Sequence, residues 1–133
     1  MSREERQRAW RRGWWAETLC MIVLKLRGYR ILSRRLRTPV GEIDILARRG
    51  RTLAIIEVKA RDDFASAADS VTDRQKQRLI RAAGWVVAGR PDLASLDTRF
   101  DVMLVAPRRL PHHVVDAWRA DAQWLQSRGQ ISW

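Results

Sequence analysis

Glu57 and Lys59 lie two residues apart in Leu53-Ala54-Ile55-Ile56-Glu57-Val58-Lys59, the most apolar strand-like run of the chain. An ionised side chain in such a run is costly unless it is paired or bound to a metal. Residues 41–48 alternate, with Ile43, Ile45 and Ala47 on one face and Glu42, Asp44 and Leu46 on the other. Gly50-Arg51 between the two runs suits a two-residue type II′ hairpin turn, which has Gly first. That register sets Asp44 opposite Glu57 and Glu42 opposite Lys59. Directly opposed carboxylates repel. A raised pKa, a neighbouring Lys or Arg, or a divalent cation would each relieve the repulsion. Lys59 shares the face of Glu57, since side chains alternate along a strand. Hard oxygen ligands suit Mg²⁺, which takes one or two carboxylates, keeps several waters and binds phosphate oxygens. A lysine beside them is placed to orient a water or to neutralise developing phosphate charge.

Two more charged residues fall on apolar stripes. Glu17 shares a helical face with Trp10, Gly13, Trp14, Met21 and Leu24, and Lys76 shares one with Leu79, Ile80, Ala83 and Val87. Any one of these charges alone reads as an exposed strand edge or a side chain reaching past a helix margin. Glu17, Asp44, Glu57, Lys59 and Lys76 together read as a site.

The elements that must position them follow from periodicity and punctuation. Trp10 to Arg27 reads as a helix stopped by Gly28. Residues 29–36, 41–48 and 52–60 read as strands. Residues 62–68 form a loop. Thr72-Asp73-Arg74-Gln75 has the capping-box form and opens a helix to about Ala88. Residues 99–106 form another strand, 113–115 a short one, and 117–127 a last helix. The expected fold class is α/β, with an α-β-β-β-α-β core, a mixed central sheet and flanking helices. The whole chain, 1–133, is expected to be one domain, with residues 1–9 flexible and 117–133 a C-terminal helical extension.

A chain of 133 residues can bury a sizeable core. Lys and Arg number 26 against 15 acidic residues, a formal charge of +11. Only Lys25, Lys59 and Lys76 are lysines, so the excess is Arg, the side chain that forks onto phosphate. Most of that excess lies before residue 61. A small Arg-rich domain meets nucleic acid more often than it meets an acidic protein or anionic lipid. A single cysteine, Cys20, excludes an intrachain disulfide and a Cys-rich zinc site. The apolar run Leu19 to Leu24 is too short for a membrane span or a signal peptide. A cytoplasmic protein without a membrane partner is expected.

Gly41-Glu42-Ile43-Asp44-Ile45-Leu46-Ala47, with Glu57-Val58-Lys59-Ala60-Arg61, resembles the YraN family of bacterial proteins. Gly13 and Glu17, residues 28–32, Lys76-Gln77-Arg78-Leu79, Ala82-Ala83 and Arg99-Phe100-Asp101-Val102 extend the likeness over most of the chain. That family looks like a branch of the PD-(D/E)XK nuclease superfamily, which has the restriction-endonuclease-like fold, and by pattern it is similar to archaeal Holliday-junction resolvases. The resemblance implies a metal, Mg²⁺ or Mn²⁺, at Asp44 and Glu57, with the Val58 backbone carbonyl as an extra ligand and Glu17 assisting. It implies Lys59 as the catalytic lysine, and Gln75 or Lys76 as a polar residue of the second helix near the site. The chain departs from the pattern in having Ile43-Asp44 in place of Pro-Asp, and Phe64-Ala65-Ser66 without a glycine.

The resulting expectation is a Mg²⁺-dependent endonuclease acting on DNA, with branched or damaged DNA as a candidate substrate. Phosphate contacts are expected from Arg11, Arg12, Arg34, Arg35 and Arg37, and a homodimer is allowed. The alternative is a non-catalytic nucleic-acid-binding module on the same fold. A weaker third reading is a protein-interaction domain using exposed tryptophans.

Overall fold

The computed structural model describes residues 2–62 and 70–120, the side chains of residues 9–12 excepted. Its elements are α1 (Arg3–Leu26), β1 (Arg30–Thr38), β2 (Gly41–Arg49), β3 (Thr52–Ala60), α2 (Asp73–Gly89), a short α3 (Pro91–Ala94), β4 (Asp97–Val105) and β5 (His112–Trp118). The expected α-β-β-β-α-β core is present. The five strands form one mixed sheet in the order β1-β2-β3-β4-β5. All neighbours are antiparallel except β3 and β4, which run parallel across the α2 crossover.

Helices cover both faces. Cys20 and Leu24 of α1 pack with Ile45, Ala47, Ala54, Ile56 and Met103. Leu79, Ala82, Ala83 and Val86 of α2 pack with Leu46, Leu53, Ile55, Val102 and Leu104 on the other side. Strand alternation thus feeds two apolar layers from one sheet.

Local chemistry fixes the ends. Gly28, at φ +88°, lets the Tyr29 N–H bond the Leu24 carbonyl and its own N–H bond that of Lys25. This is the Schellman pattern, and the buried Leu24 and Tyr29 supply its apolar contact. Thr72 and Gln75 close the expected capping box on α2. The β2–β3 hairpin has the expected register, with Arg49 opposite Thr52 and Ile45 opposite Ile56. Gly50 is the turn residue with positive φ, as a II′ turn requires.

Three expectations are corrected. Residues 3–9 are helical rather than flexible, because Ser2 and Glu5 form a second capping box. Trp14 lies at the margin of the α1 stripe, 39 % exposed. Ala117 and Trp118 end β5 instead of starting a helix, because Trp118 stacks on Phe100 across the sheet. Residues 121–133 and the 63–69 part of the expected loop lie outside the described residues.

Candidate active site

Backbone pairing between β2 and β3 runs from the turn as far as Ile45 and Ile56. One step beyond, a side chain replaces the backbone acceptor: the Val58 N–H donates to Asp44 Oδ2 at 2.8 Å. Asp44 also acts on Glu57, the residue before Val58, and favours its protonated form. The two acids therefore meet where the ladder gives way, as the hairpin register requires.

Their surroundings form a cleft of about 180 Å³ lined by Glu42, Asp44, Glu57, Gln75, Arg78 and Leu79. Burial pushes the Glu57 carboxyl up to about 9, assisted by its hydrogen bond to Asp44 and by the charge there. Lys59 and Arg78 pull in the opposite direction. Of the remedies for opposed carboxylates, burial favours a proton on Glu57, and the charges of Lys59 and Arg78 oppose that shift.

Arg78 is a site residue that sequence reasoning missed. It lies three residues after Gln75, on the same helical face. Its approach depends on Gly41, at φ +149°, where a Cβ would stand 2.6 Å from Arg78 Cγ and 2.8 Å from Cδ. The glycine and the arginine belong to different elements, so neither announces the other in the sequence.

Glu17 is buried and is not among the residues that line this cleft. Its Oε1 accepts from Arg34 Nε at 3.2 Å and from Arg35 Nε at 2.7 Å. Consecutive strand residues normally point to opposite faces. Here Arg35 adopts φ +51°, and both guanidinium groups turn onto one carboxylate. Arg34 also stacks over Trp14 at 3.3 Å and donates to the Trp14 carbonyl at 2.6 Å. Gly13 faces this cluster, 3.6 Å from the Arg35 terminal nitrogen to where a Cβ would be. The hydrogen bond to Glu17 does most to raise the Arg35 pKa, and the charges of Glu17, Glu42 and Asp44 add to it in that order.

The structure thus sets Asp44 and Glu57 on one cleft, with the charge of Lys59 acting on Glu57, and holds Glu17 against two arginines. Lys76 is elsewhere, 4.0 Å from Asp73 and 6.0 Å from the Trp118 ring centre. Arg37 is exposed, 3.8 Å from Glu42. Arg11 and Arg12 lie outside the described side chains. Among the described residues, no cluster of three acids, histidines or cysteines forms a metal cage. Buried Cys20, its thiol pushed up to about 12 by burial and by the charges of Glu17 and Asp44, is an inert core group.

A second polar cluster centres on Asp101, which is fully buried. It accepts from Arg99 through both oxygens, at 2.9 and 2.8 Å, and from the Asp116 N–H at 2.9 Å. His113 Nε2 lies 2.8 Å from Oδ2. Arg99 also donates to the Tyr29 hydroxyl. Burial raises the Asp101 pKa, but bonds from His113, Arg99 and the Asp116 backbone outweigh it and hold it below the usual range. Asp101 locks β4 to β5 and to the start of β1.

The model of the Uncharacterised protein family UPF0102 matches residues 16–105. The chain belongs to family UPF0102. It is 53 % identical over 111 residues to a UPF0102 protein of Parvibaculum lavamentivorans, covering 84 % of each chain. A UPF0102 protein of Bradyrhizobium diazoefficiens is 52 % identical over 117 residues, 87 % of each chain. One of Paramagnetospirillum magneticum is 49 % identical over 119 residues, 86 % of this chain and 92 % of that one. In this UPF0102 chain the matched segment contains Glu17, the whole β2–β3 hairpin and Arg78. Among the described residues no helix is long and apolar enough to cross a membrane.

Proposed function

We propose that this UPF0102 protein is a Mg²⁺- or Mn²⁺-dependent endonuclease that hydrolyses DNA phosphodiester bonds, with branched or damaged DNA as its substrate class. The observation that carries the reading is that Asp44 and Glu57 line one cleft with Arg78, while the charge of Lys59 also acts on Glu57.

The donor set fits a hard dication. Two carboxylates from adjacent strands are enough for Mg²⁺, which fills its remaining positions with water and phosphate oxygen. Asp44 and Glu57 would hold the metal, with the Val58 carbonyl on the same strand edge. The metal would supply a polarised phosphate oxygen and a water of lowered pKa. Glu57 must first give up its proton, so metal loading and ionisation of the pair are linked.

The chain's own residues do the rest. Lys59 offers charge and a hydrogen bond where negative charge grows on the reacting phosphate. Arg78, held in place by Gly41, can grip a non-bridging oxygen with two parallel donors. Glu17 acts through Arg35 as a positioning residue, fixing the cation that flanks Asp44. The Arg-rich first half supplies sequence-independent attraction to the backbone.

The test is a panel of labelled duplex, nicked, flap and four-way DNA incubated with Mg²⁺ or Mn²⁺. Wild type is expected to cut at least one substrate, and Glu57→Gln and Lys59→Ala to lower the rate at least ~10²-fold, the scale of losing one preorganised contact. Cutting at the wild-type rate by both variants would place the activity elsewhere. No cutting of any substrate, with binding retained, would favour the non-catalytic binding module.

A further inference from the structure

We infer that a groove at the carboxyl ends of β3 and β4 binds an unpaired stretch of nucleic acid, with Trp15 as the base-stacking platform and Arg108 as a phosphate contact. The inference deepens the nuclease reading by naming the form of the substrate, and its binding test does not depend on cleavage.

The groove has a volume of about 940 Å³ and runs past the carboxyl ends of the parallel pair β3 and β4. Open α/β sheets commonly take ligands at the carboxyl ends of such strands. Trp15 and Leu19 of α1 form one wall, and Arg61, Arg108 and Arg109 belong to the strand ends and the turn opposite. Lys59, two residues after Glu57 on β3, lines the groove, so the groove opens where the strand that carries Glu57 ends. None of the arginines first expected to meet phosphate takes part.

Two features point to a ligand of mixed character. Trp15 is 62 % exposed although it follows the stripe-margin Trp14, which Arg34 covers. Leaving so large an apolar surface wet forgoes burial that the fold could have used. The second feature is backbone. Ala106, Pro107, Arg108 and Arg109 form a turn closed by the Arg109 N–H on the Ala106 carbonyl at 3.4 Å. Pro at the second position and Arg108 at φ +61° in the third give type II geometry, which favours Gly or Asn there. An arginine held in a glycine conformation at the mouth of a groove is strain without a packing reward, since Arg108 is exposed.

An exposed indole among guanidinium groups matches a single strand better than a duplex. Successive unpaired bases stack on aromatic faces while the arginines follow the backbone. A closed duplex hides its base faces and offers Trp15 nothing to stack on. An acidic protein would use the charge, but a nucleic acid sets a planar base beside every backbone phosphate, which is the pairing of indole and guanidinium groups found here.

The experiment is fluorescence anisotropy of a labelled oligothymidylate without metal, using wild type, Trp15→Ala and Arg108→Gly, with a hairpin-closed duplex as competitor. Trp15→Ala should weaken binding on the order of tenfold, within the roughly 5- to 150-fold range of losing one stacked base. Arg108→Gly keeps the turn, because glycine suits its φ, and should melt no lower than wild type. It should nevertheless bind less tightly and lower the salt slope by about 0.7, one single-strand phosphate's worth. The duplex should compete poorly. Wild-type affinity in both variants, or equal competition by the closed duplex, overturns the groove. Cleavage of the DNA panel is scored separately: cutting with an unaltered Trp15→Ala sinks the groove alone, and single-strand binding without cutting sinks the nuclease reading alone.

Discussion

Glu57→Gln should make the metal-free protein more stable at neutral pH. Glu57 titrates near 9 in the fold against 4.5 for the free side chain. Burial and the Asp44 carboxyl raise it, so the folded state holds a proton that the unfolded chain releases between those values. Stability from this group is therefore full below about pH 4.5 and is lost as pH rises toward 9. At pH 7 the gap above the free value corresponds to an upper limit of about 3 kcal/mol, at 1.36 kcal/mol per pH unit. Glu57 is only partly buried, so solvent screening reduces this, and about 1–2 kcal/mol is the expected size. Gln keeps the shape and can donate to Asp44, but it has no proton to lose.

Thermal melts of wild type and Glu57→Gln from pH 4.5 to 8.5, with EDTA, read the effect. The variant should melt roughly 3–8 °C higher at pH 7, and the advantage should vanish near pH 4.5. Adding Mg²⁺ should then raise the wild-type melting temperature and leave the variant unmoved, because the metal needs the carboxylate. Calorimetry in buffers of different ionisation enthalpy should find a proton released as wild type loads Mg²⁺ at pH 7. A variant that melts lower than wild type at pH 7, or a difference that does not change with pH, would refute the reasoning.

Other expectations follow from single contacts. Asp101→Asn leaves Arg99 and His113 facing a neutral partner in the core and should cost about 3–5 kcal/mol in urea unfolding. In wild type the stability from Asp101, whose folded pKa is depressed, should be lost as pH falls below the usual aspartate range. Gly41→Ala forces a Cβ into the Arg78 stem and should cost about 1–3 kcal/mol and slow any cleavage, while Arg78→Ala should slow cleavage without the stability loss. Glu17→Gln should destabilise by about 2 kcal/mol or more yet keep the Mg²⁺-induced rise in melting temperature, whereas Asp44→Asn should abolish that rise. An unchanged Mg²⁺ response in Asp44→Asn would remove this hairpin as the metal site.

The parts of this molecule that short-range chemistry decides were legible in the sequence. A two-residue turn fixes every pairing of the β2–β3 hairpin, so the meeting of Asp44 and Glu57 could be worked out from Gly50-Arg51. Thr72 with Gln75, and Gly28 after the first helix, mark their boundaries by local hydrogen bonds. The parts that hang on distant shape were not. The two arginine partners of Glu17 could not be foreseen, because they converge only where Arg35 departs from strand alternation. The Arg78 contribution depends on a missing Cβ in another element. The last strand was read partly as helix because residues 117–127 carry helix-like apolar spacing, while the stacking of Trp118 on Phe100 is a tertiary event.

The same contacts explain why a site built on acids sits in a strongly basic protein. Burial and the neighbouring Asp44 favour the protonated form of Glu57, which lowers the negative charge of the pair, and Lys59, Arg78 and the net positive Glu17–Arg34–Arg35 cluster oppose what is left. On the proposed nuclease reading, phosphate would then meet little repulsion in the metal-free cleft. A dication that displaced the Glu57 proton would change the local charge by only one unit. Arg35 is the hinge of this balance: it answers Glu17 by contact and Asp44 through space. Arg35→Ala should therefore weaken metal-free DNA binding and, by exposing Asp44 to less positive charge, tighten Mg²⁺ binding. Paired titrations of DNA and of Mg²⁺ would test this, and a change of the same sign in both would show that Arg35 acts on the fold and not on the charge of the site.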